Sequence, residues 1–152
     1  MKKTDLAYMA GIIDGEGCIR IGKGNQGGNN KKVNYTLKMS IGMANPYIPQ
    51  MFRFVFGGHF FQSTEGTAER LPTWQWGIDS NKAVDVLRTL LPYLKLKKSE
   101  AELAIEFQKG KRICQSGIKR GENRTDEEQA LEEAQYILMH NLKDKSGVTN
   151  VK

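Results

Sequence analysis

The segment from residue 6 to residue 17 constrains the fold most, because a helix face of little bulk runs directly into two acids. Four residues share the spacing i, i+3, i+4 and i+7 of one helix face: Ala7, Ala10, Gly11 and Asp14. Such a face lets a second helix approach closely, and apolar residues beside it can anchor the helix in a core: Leu6, Met9 and Ile13. A carboxylate at a helix C-terminus is disfavoured by the helix dipole. Asp14 and Glu16 therefore predict a compensating charge, such as a divalent cation.

Each of these two features is ordinary when it stands alone. Small residues in a helix usually indicate tight packing, and two acids near a glycine turn are usually solvated. Their occurrence together, in this order and ahead of a strand of alternating residues, favours a functional interpretation of the segment.

Helical and strand periodicities alternate along the chain. Alternating residues predict four strands, over 18–22, 33–43, 59–63 and 73–79. A first helix is expected over 4–13, capped by Thr4, and a second begins at Asn45-Pro46 and ends at the glycines 57 and 58. A third helix is expected over 81–91.

Two further helices are predicted by capping-box patterns, Ser99 with Glu102 and Thr125 with Glu128. The last of them carries the apolar residues Leu131, Ala134 and Leu138. Between these helices lies a basic loop, 113–124, and the chain beyond residue 142 is a polar tail.

This order predicts an α+β fold, α-β-β-α-β-β-α plus extra C-terminal helices, with one antiparallel four-stranded sheet. Helices on one face of the sheet leave the other face free. That face is polar and basic, and it suits the base edges of a DNA major groove. Its residues are Arg20, Asn34, Thr36, Lys38, Ser40, Thr73 and Gln75.

The composition narrows the class of protein. The chain has 152 residues, and 23 Lys and Arg against 17 Asp and Glu give a net charge of +6. The positive charge is concentrated in residues 1–62 and 95–124, which favours a polyanionic partner such as nucleic acid. No apolar run is long enough for a membrane span, and no signal peptide is recognisable. Cys18 and Cys114 predict neither a disulfide framework nor a zinc site, and His59 has no partner acid at a telling spacing.

The segment from Tyr8 to Gly17, YMAGIIDGEG, closely resembles the LAGLIDADG motif of homing endonucleases. It departs from the motif's name at Met9, Ile12 and the pair Gly15-Glu16, all conservatively. The resemblance covers most of the chain and implies one LAGLIDADG endonuclease domain over 1–142, with a tail over 143–152. Because the chain has one motif, the resemblance implies a homodimer paired through Ala7, Ala10, Gly11 and Asp14, whose sheets form a DNA-binding saddle.

The resemblance also implies roles for individual residues. Glu16 is the expected catalytic and metal-binding carboxylate, and the Gly15 carbonyl assists it. The expected cofactor is Mg²⁺, because the ligands are hard oxygens, with Mn²⁺ or a non-cleaving Ca²⁺ complex as alternatives. The segment 94–98, LKLKK, looks like the one that supplies a catalytic lysine; Lys97 is the best match and Lys98 the alternative register. The alternative interpretation is that the three lysines have no catalytic role and only keep this short linker solvated.

One part of the family pattern is absent. Met43 stands where members often have a polar residue that organises active-site water, which puts that water network in doubt. For recognition, Arg20 is the expected guanine contact, whereas Lys23, Lys31 and Lys32 are expected to hold phosphates.

The expected function is that of a site-specific homing endonuclease, intron-encoded or from another host element. It would hydrolyse both strands of a long, pseudo-palindromic double-stranded DNA inside the cell, in a bacterial cytoplasm or an organelle. The alternative is a non-cleaving member, either an intron RNA maturase or a DNA-binding regulator. A third possibility, a small interaction module for another acidic partner, leaves the ten-residue motif unexplained.

Overall fold

Helices and hairpins follow one another in the predicted order in the computed structural model, which describes residues 1–25, 33–111 and 125–146. The first unit comprises α1 (Lys3–Glu16), β1 (Gly17–Asn25) and β2 (Val33–Met43). The second comprises α2 (Tyr47–Phe56), β3 (His59–Thr64) and β4 (Thr73–Asp79). They are followed by α3 (Ser80–Leu90), a 3-10 turn (Leu91–Tyr93), α4 (Lys98–Gly110) and α5 (Asp126–Ser146). The predicted α+β class and element order are confirmed.

The four strands form one antiparallel sheet in the order β1-β2-β4-β3. The longest strand, β2, is central and pairs with both β1 and β4. Its register aligns Arg20 with Lys38 and Lys38 with Asp79, so three charged side chains cross the sheet in one row on one face.

The other face of the sheet carries the core. Its side chains alternate with the polar ones and are almost fully buried beneath the helices: Ile19, Ile21, Tyr35, Leu37, Met39, Ile41, Trp76 and Ile78. This one-sided burial follows from the period of two along each strand. The indole of Trp76 donates a hydrogen bond of 2.7 Å to the carbonyl of Gly57, which ties the end of α2 to the sheet.

Glycine is required where α2 turns into β3. Gly57 and Gly58 have φ angles of +75° and +88°, a region that residues with a Cβ rarely enter. At Gly58 a Cβ would also lie 2.5 Å from the carbonyl oxygen of Gly77.

The predicted helix starts are confirmed in part. Asn45 Oδ1 accepts a hydrogen bond of 2.9 Å from Tyr47 N, and Thr125 and Glu128 form the predicted reciprocal capping box. Thr4 and Ser99 were wrongly predicted as caps. The first helix already starts at Lys3, where Asp5 accepts a bond from the backbone of Lys2, and α4 starts at Lys98.

The apolar residues that the sequence shows in α5 do not form its buried face. Leu131 and Leu138 are 56% and 47% exposed, and the buried residues of this helix include Met139 and Glu132. Contacts with the sheet set the rotation: Tyr136 packs against Tyr35, with ring centroids 5.7 Å apart. The helix also continues to Ser146, beyond the predicted start of the polar tail. Among the described residues, no helix combines the length and apolarity needed to cross a membrane.

Candidate active site and nucleic-acid interface

The end of α1 is bound to the loop that precedes α4. The Asp14 carboxylate accepts hydrogen bonds from the backbone N–H groups of Lys95, at 2.7 Å, and Lys97, at 2.9 Å. The Lys97 ammonium donates in return to the Asp14 backbone carbonyl. The motif helix and the lysine-rich segment, 83 positions apart at Asp14 and Lys97, therefore meet at one point.

Two backbone N–H groups, rather than a cation, stabilise the Asp14 carboxylate at the unfavourable end of the helix. They also explain why α4 starts before Ser99, because Asp14 fixes the backbone of Lys97, the residue that precedes the helix. Asp14 therefore needs no compensating cation.

Glu16 is the last residue of α1 and remains without such compensation. Its side chain is exposed, and no hydrogen bond or ion pair to it exists within the part of the chain that the structure describes. Gly15 beside it is also exposed. Gly17 lets β1 begin at once, since a Cβ there would lie 2.6 Å from the carbonyl oxygen of Ile13. The carboxylate of Glu16 is thus held at a sharp helix-to-strand junction and faces solvent.

The donor set of one chain fits a divalent cation only in part. Across residues 1–25, 33–111 and 125–146, no group of three or more His, Cys, Asp or Glu side chains could hold a metal. Glu16 and the Gly15 carbonyl supply hard oxygens, but Mg²⁺ and Ca²⁺ take six or more such ligands. Any ion here would need donors from water, phosphate or a second chain.

A buried acid that sequence reasoning missed lies close to this junction. Glu100, in the first turn of α4, is 4% exposed, and no hydrogen-bond partner for its Oε2 exists among the described residues. Burial raises the pKa of this carboxyl group, opposed by the positive charges of Lys143 and Lys97. The sequence has no signal for Glu100, because an acid in a first helical turn is normally solvated.

The polar face of the sheet forms a shallow depression of about 380 Å³. Arg20, Lys38, Ser40 and Gln75 line it as predicted. Its lining also includes His59, Phe61 and Asp79, which the sequence analysis missed. The pairing of β3 with β4 places His59 opposite Gly77 and Phe61 opposite Gln75, on the same face. Strand alternation in β3 was the available signal.

Other residues predicted for this face are less accessible. Asn34 and Thr36 are half-buried. The Thr73 hydroxyl lies 2.9 Å from Ser63 Oγ and 2.5 Å from Thr64 Oγ1, at the irregular end of the β3–β4 pairing. Thr73 therefore belongs to an exposed cluster of hydroxyl groups at the end of the sheet.

Lys23 turns away from the polar face. Its Nζ lies 2.8 Å from Glu133 Oε2 and within 5.6 Å of the ring centroids of Tyr35 and Tyr136. A phosphate contact at Lys23 would require this pair to open. Lys31 and Lys32 lie outside the described residues, as do Cys114 and the basic loop 113–124.

The small face of α1 is divided between the core and the surface. Ala10 is fully buried within the chain, and Asp14 is engaged by the loop, so neither offers the open interface surface that was expected. Ala7 and Gly11 are exposed, and Gly15 lies one further helical turn along. The reason is that α1 rests on the sheet through Met9, Ala10 and Ile13.

Comparison with known proteins shows the fold. No protein-family model and no curated protein matches the chain. Among solved structures, the homing endonuclease I-CvuI in complex with its target in the presence of Ca is similar, with a TM-score of 0.64 and 19% identity over 98% of this chain and 84% of that chain. The archaeal intron-encoded homing endonuclease I-Vdi141I complexed with DNA has a TM-score of 0.71 and 16% identity, over 93% and 86% of the two chains.

The homing endonuclease I-TnaI is similar over 93% of this chain and 97% of its own, with a TM-score of 0.58 and 14% identity. At these identities the likeness establishes the architecture, and the chain therefore has a LAGLIDADG-like fold.

Proposed function

We propose that this chain is a single-motif LAGLIDADG homing endonuclease, a homodimer that hydrolyses both strands of a long, pseudo-palindromic duplex with a divalent metal. One observation carries the proposal. Glu16, exposed and without a partner in the described residues, ends the same helix whose last turn is bound by Lys97. An acid and a lysine thus flank the start of the strand that carries Arg20 onto the polar face of the sheet.

Homodimer formation would complete the donor set. Ala7 and Gly11 leave the exposed side of α1 without bulk, which suits close approach of a second α1 across a two-fold axis. Two copies of Glu16 would then lie near each other, one for each DNA strand. Together with the Gly15 carbonyl groups, water and phosphate, they would hold Mg²⁺, or Ca²⁺ in a non-cleaving complex.

Each residue of the site has a task in hydrolysis. Glu16 and the Gly15 carbonyl would hold the ion, which when bound would supply activation of water and stabilisation of the leaving oxygen. The Lys97 ammonium places positive charge where negative charge develops on the phosphate. Its hydrogen bond to the Asp14 carbonyl orients it before DNA arrives.

The sheet face would read the DNA. Arg20 suits a bidentate contact with guanine, worth about 1–3 kcal/mol of discrimination. Asp79, in the same row of residues, can accept a hydrogen bond from the amino group of cytosine. Lys38 stands between them and can contact a base or a phosphate.

A second candidate function is supported by Met43. This half-buried residue at the end of β2 pairs with Trp74, so the position offers a thioether where a polar group would organise water. A member with an impaired water network would bind DNA or RNA without cutting it.

The test is selection of cleaved sequences from a randomised duplex library with Mg²⁺, comparing the wild type with Glu16→Gln. Enrichment of a two-fold symmetric site by the wild type alone supports the proposal. Asp85→Asn, a change of an exposed acid on α3, is the matched control and should select the same site. Absence of cleavage together with tight, metal-independent binding would favour the second candidate.

A further inference from the structure

A lysine of the last helix reaches the strand that begins directly after Glu16. Lys143 Nζ lies 3.4 Å from the Cys18 sulfur, 125 positions away in the sequence. Cys18 is the second residue of β1, and α5 packs against this strand. The contact therefore acts on the part of the strand that adjoins the proposed metal carboxylate.

The thiol does not by itself account for the placement of the lysine. Sulfur is a weak hydrogen-bond acceptor, and fixing a long lysine side chain costs rotamer entropy. Glu100 supplies the opposite charge: it is buried, its Oε2 has no hydrogen-bond partner among the described residues, and Lys143 has the largest lowering effect on the pKa of its carboxyl group.

Two residues of the proposed site also act electrostatically on Glu100. The positive charge of Lys97 lowers the pKa of the Glu100 carboxyl group, and the negative charge of Asp14 raises it. The charges that act on Glu100 therefore belong to the end of α1, the loop before α4 and the C-terminal part of α5. A buried acid costs stability unless it interacts with a positive charge, which indicates that this one has a task.

We propose that Lys143 is a positioning residue of the active site, which with the buried carboxylate of Glu100 fixes the start of β1 and thereby Glu16. The inference rests on the proposed function, since neither residue touches metal or DNA. It makes α5 part of the catalytic apparatus, although this helix follows the two helix-and-hairpin units in the chain.

Three variants and a matched control test the contact. Lys143→Met removes the ammonium but keeps a long apolar stem, Lys143→Arg restores the charge, and Glu100→Gln removes the opposite charge. Glu133→Gln is the control, because it breaks a separate contact between α5 and β1, the 2.8 Å ion pair with Lys23. That pair lies toward the opposite end of β1.

The first readout is single-turnover cleavage of the selected site. Lys143→Met and Glu100→Gln should each lower the rate by about 10- to 100-fold, the usual effect of removing a group that orients a metal ligand. The Kd for DNA in Ca²⁺ should stay within about twofold of the wild type. Lys143→Arg should recover most of the rate, and Glu133→Gln should keep all of it. Equal losses in rate and binding, or no recovery with arginine, would overturn the proposal.

The second readout does not depend on cleavage. In amide NMR spectra of the free protein, Lys143→Met and Glu100→Gln should shift the resonances of Gly15, Glu16 and Gly17, and Glu133→Gln should leave them in place. Unshifted resonances in the first two variants would overturn the positioning role. A wild type that cuts no DNA, but whose variants show these shifts, would overturn the nuclease function and leave the contact supported.

Discussion

Lys97 and Asp14 hold each other through two different pairs of groups. The backbone N–H of Lys97 donates to Asp14 Oδ1 at 2.9 Å, and the ammonium of the same lysine donates to the Asp14 carbonyl. Asp14 thus positions the loop before α4 through its carboxylate, and its backbone carbonyl accepts the hydrogen bond from the Lys97 ammonium. The helix end and the proposed catalytic lysine form one structural unit, so a change in either should affect the other.

Asp14→Asn tests this unit. A neutral amide can accept only through its oxygen, so one of the two backbone N–H groups loses its partner. We expect the free energy of unfolding to fall by about 1–3 kcal/mol and cleavage to fall further than stability, because Lys97 loses its fixed position. Denaturant unfolding and single-turnover cleavage would measure the two effects. Asp85→Asn is the control, and equal behaviour of the two variants would contradict the assignment.

Substitution of single lysines separates the two registers of the lysine-rich segment. Lys97 is half-buried and bound to α1, whereas Lys98 is exposed in the first turn of α4. Lys97→Met should lower the cleavage rate by about 10²- to 10³-fold, as loss of one preorganised donor does. Lys98→Met should stay near the wild type. The reverse order would assign the catalytic role to Lys98.

If α1 forms the proposed dimer interface, Gly11→Leu should convert the protein to a monomer. Within one chain nothing lies within 4 Å of a Cβ at this position, so the substitution leaves the subunit fold intact. In a pair of closely packed α1 helices the leucine would separate the backbones. Sedimentation velocity should show the loss of the dimer, and cleavage should be lost with it. Gly11→Ala should retain the dimer and stabilise the helix by about 0.5–1 kcal/mol; a dimeric Gly11→Leu variant would exclude α1 as the interface.

The pH dependence of stability should reveal Glu100. Burial raises the pKa of Glu100 in the folded state above its ordinary value, so the folded state retains this proton to higher pH than the unfolded chain. The stability from this group is present below the unfolded pKa and is lost as pH rises through the folded pKa. Unfolding from acidic to neutral pH should show Glu100→Gln gaining stability relative to the wild type as pH rises. A constant difference between the two proteins would contradict the raised pKa.

Arg20→Ala should relax sequence preference without abolishing cleavage. If Arg20 contacts guanine, the selected site should lose preference at one position of each half-site, by about 1–3 kcal/mol. Sequencing of cleaved library members would show this loss. A uniform weakening across all positions would assign Arg20 to the phosphate backbone instead.

Local sequence patterns predicted those strands and helix starts that are determined by residues close to each other in the chain. Alternation over 33–43 predicted β2 with its observed bounds, and Asn45 and Thr125 predicted helix starts that the structure has. These features depend on the chain within a few positions. The same reasoning ended the first helix at residue 13 and placed Glu16 in the glycine turn behind it; the helix continues three residues further and ends at Glu16.

Long-range contacts decided what local patterns could not predict. Ala10 is buried because it lies on the side of α1 that packs against the sheet. The leucines of α5 face outward because contacts such as that between Tyr136 and Tyr35 fix the rotation of this helix. The binding of Asp14 by residues 95–97 required knowledge of which loop returns to the helix end.

The position of α5 also bears on solubility. β1 lies at one edge of the sheet, and an uncovered edge offers unpaired backbone groups to other chains. Two residues of α5 contact β1: Lys143 lies near Cys18, and Glu133 pairs with Lys23. The side chains of Cys18 and Lys23 point to opposite faces of the sheet. The helix therefore runs along the edge of β1. Truncation before residue 125 would uncover this edge, so a shortened chain should aggregate through β1 even where its core still folds.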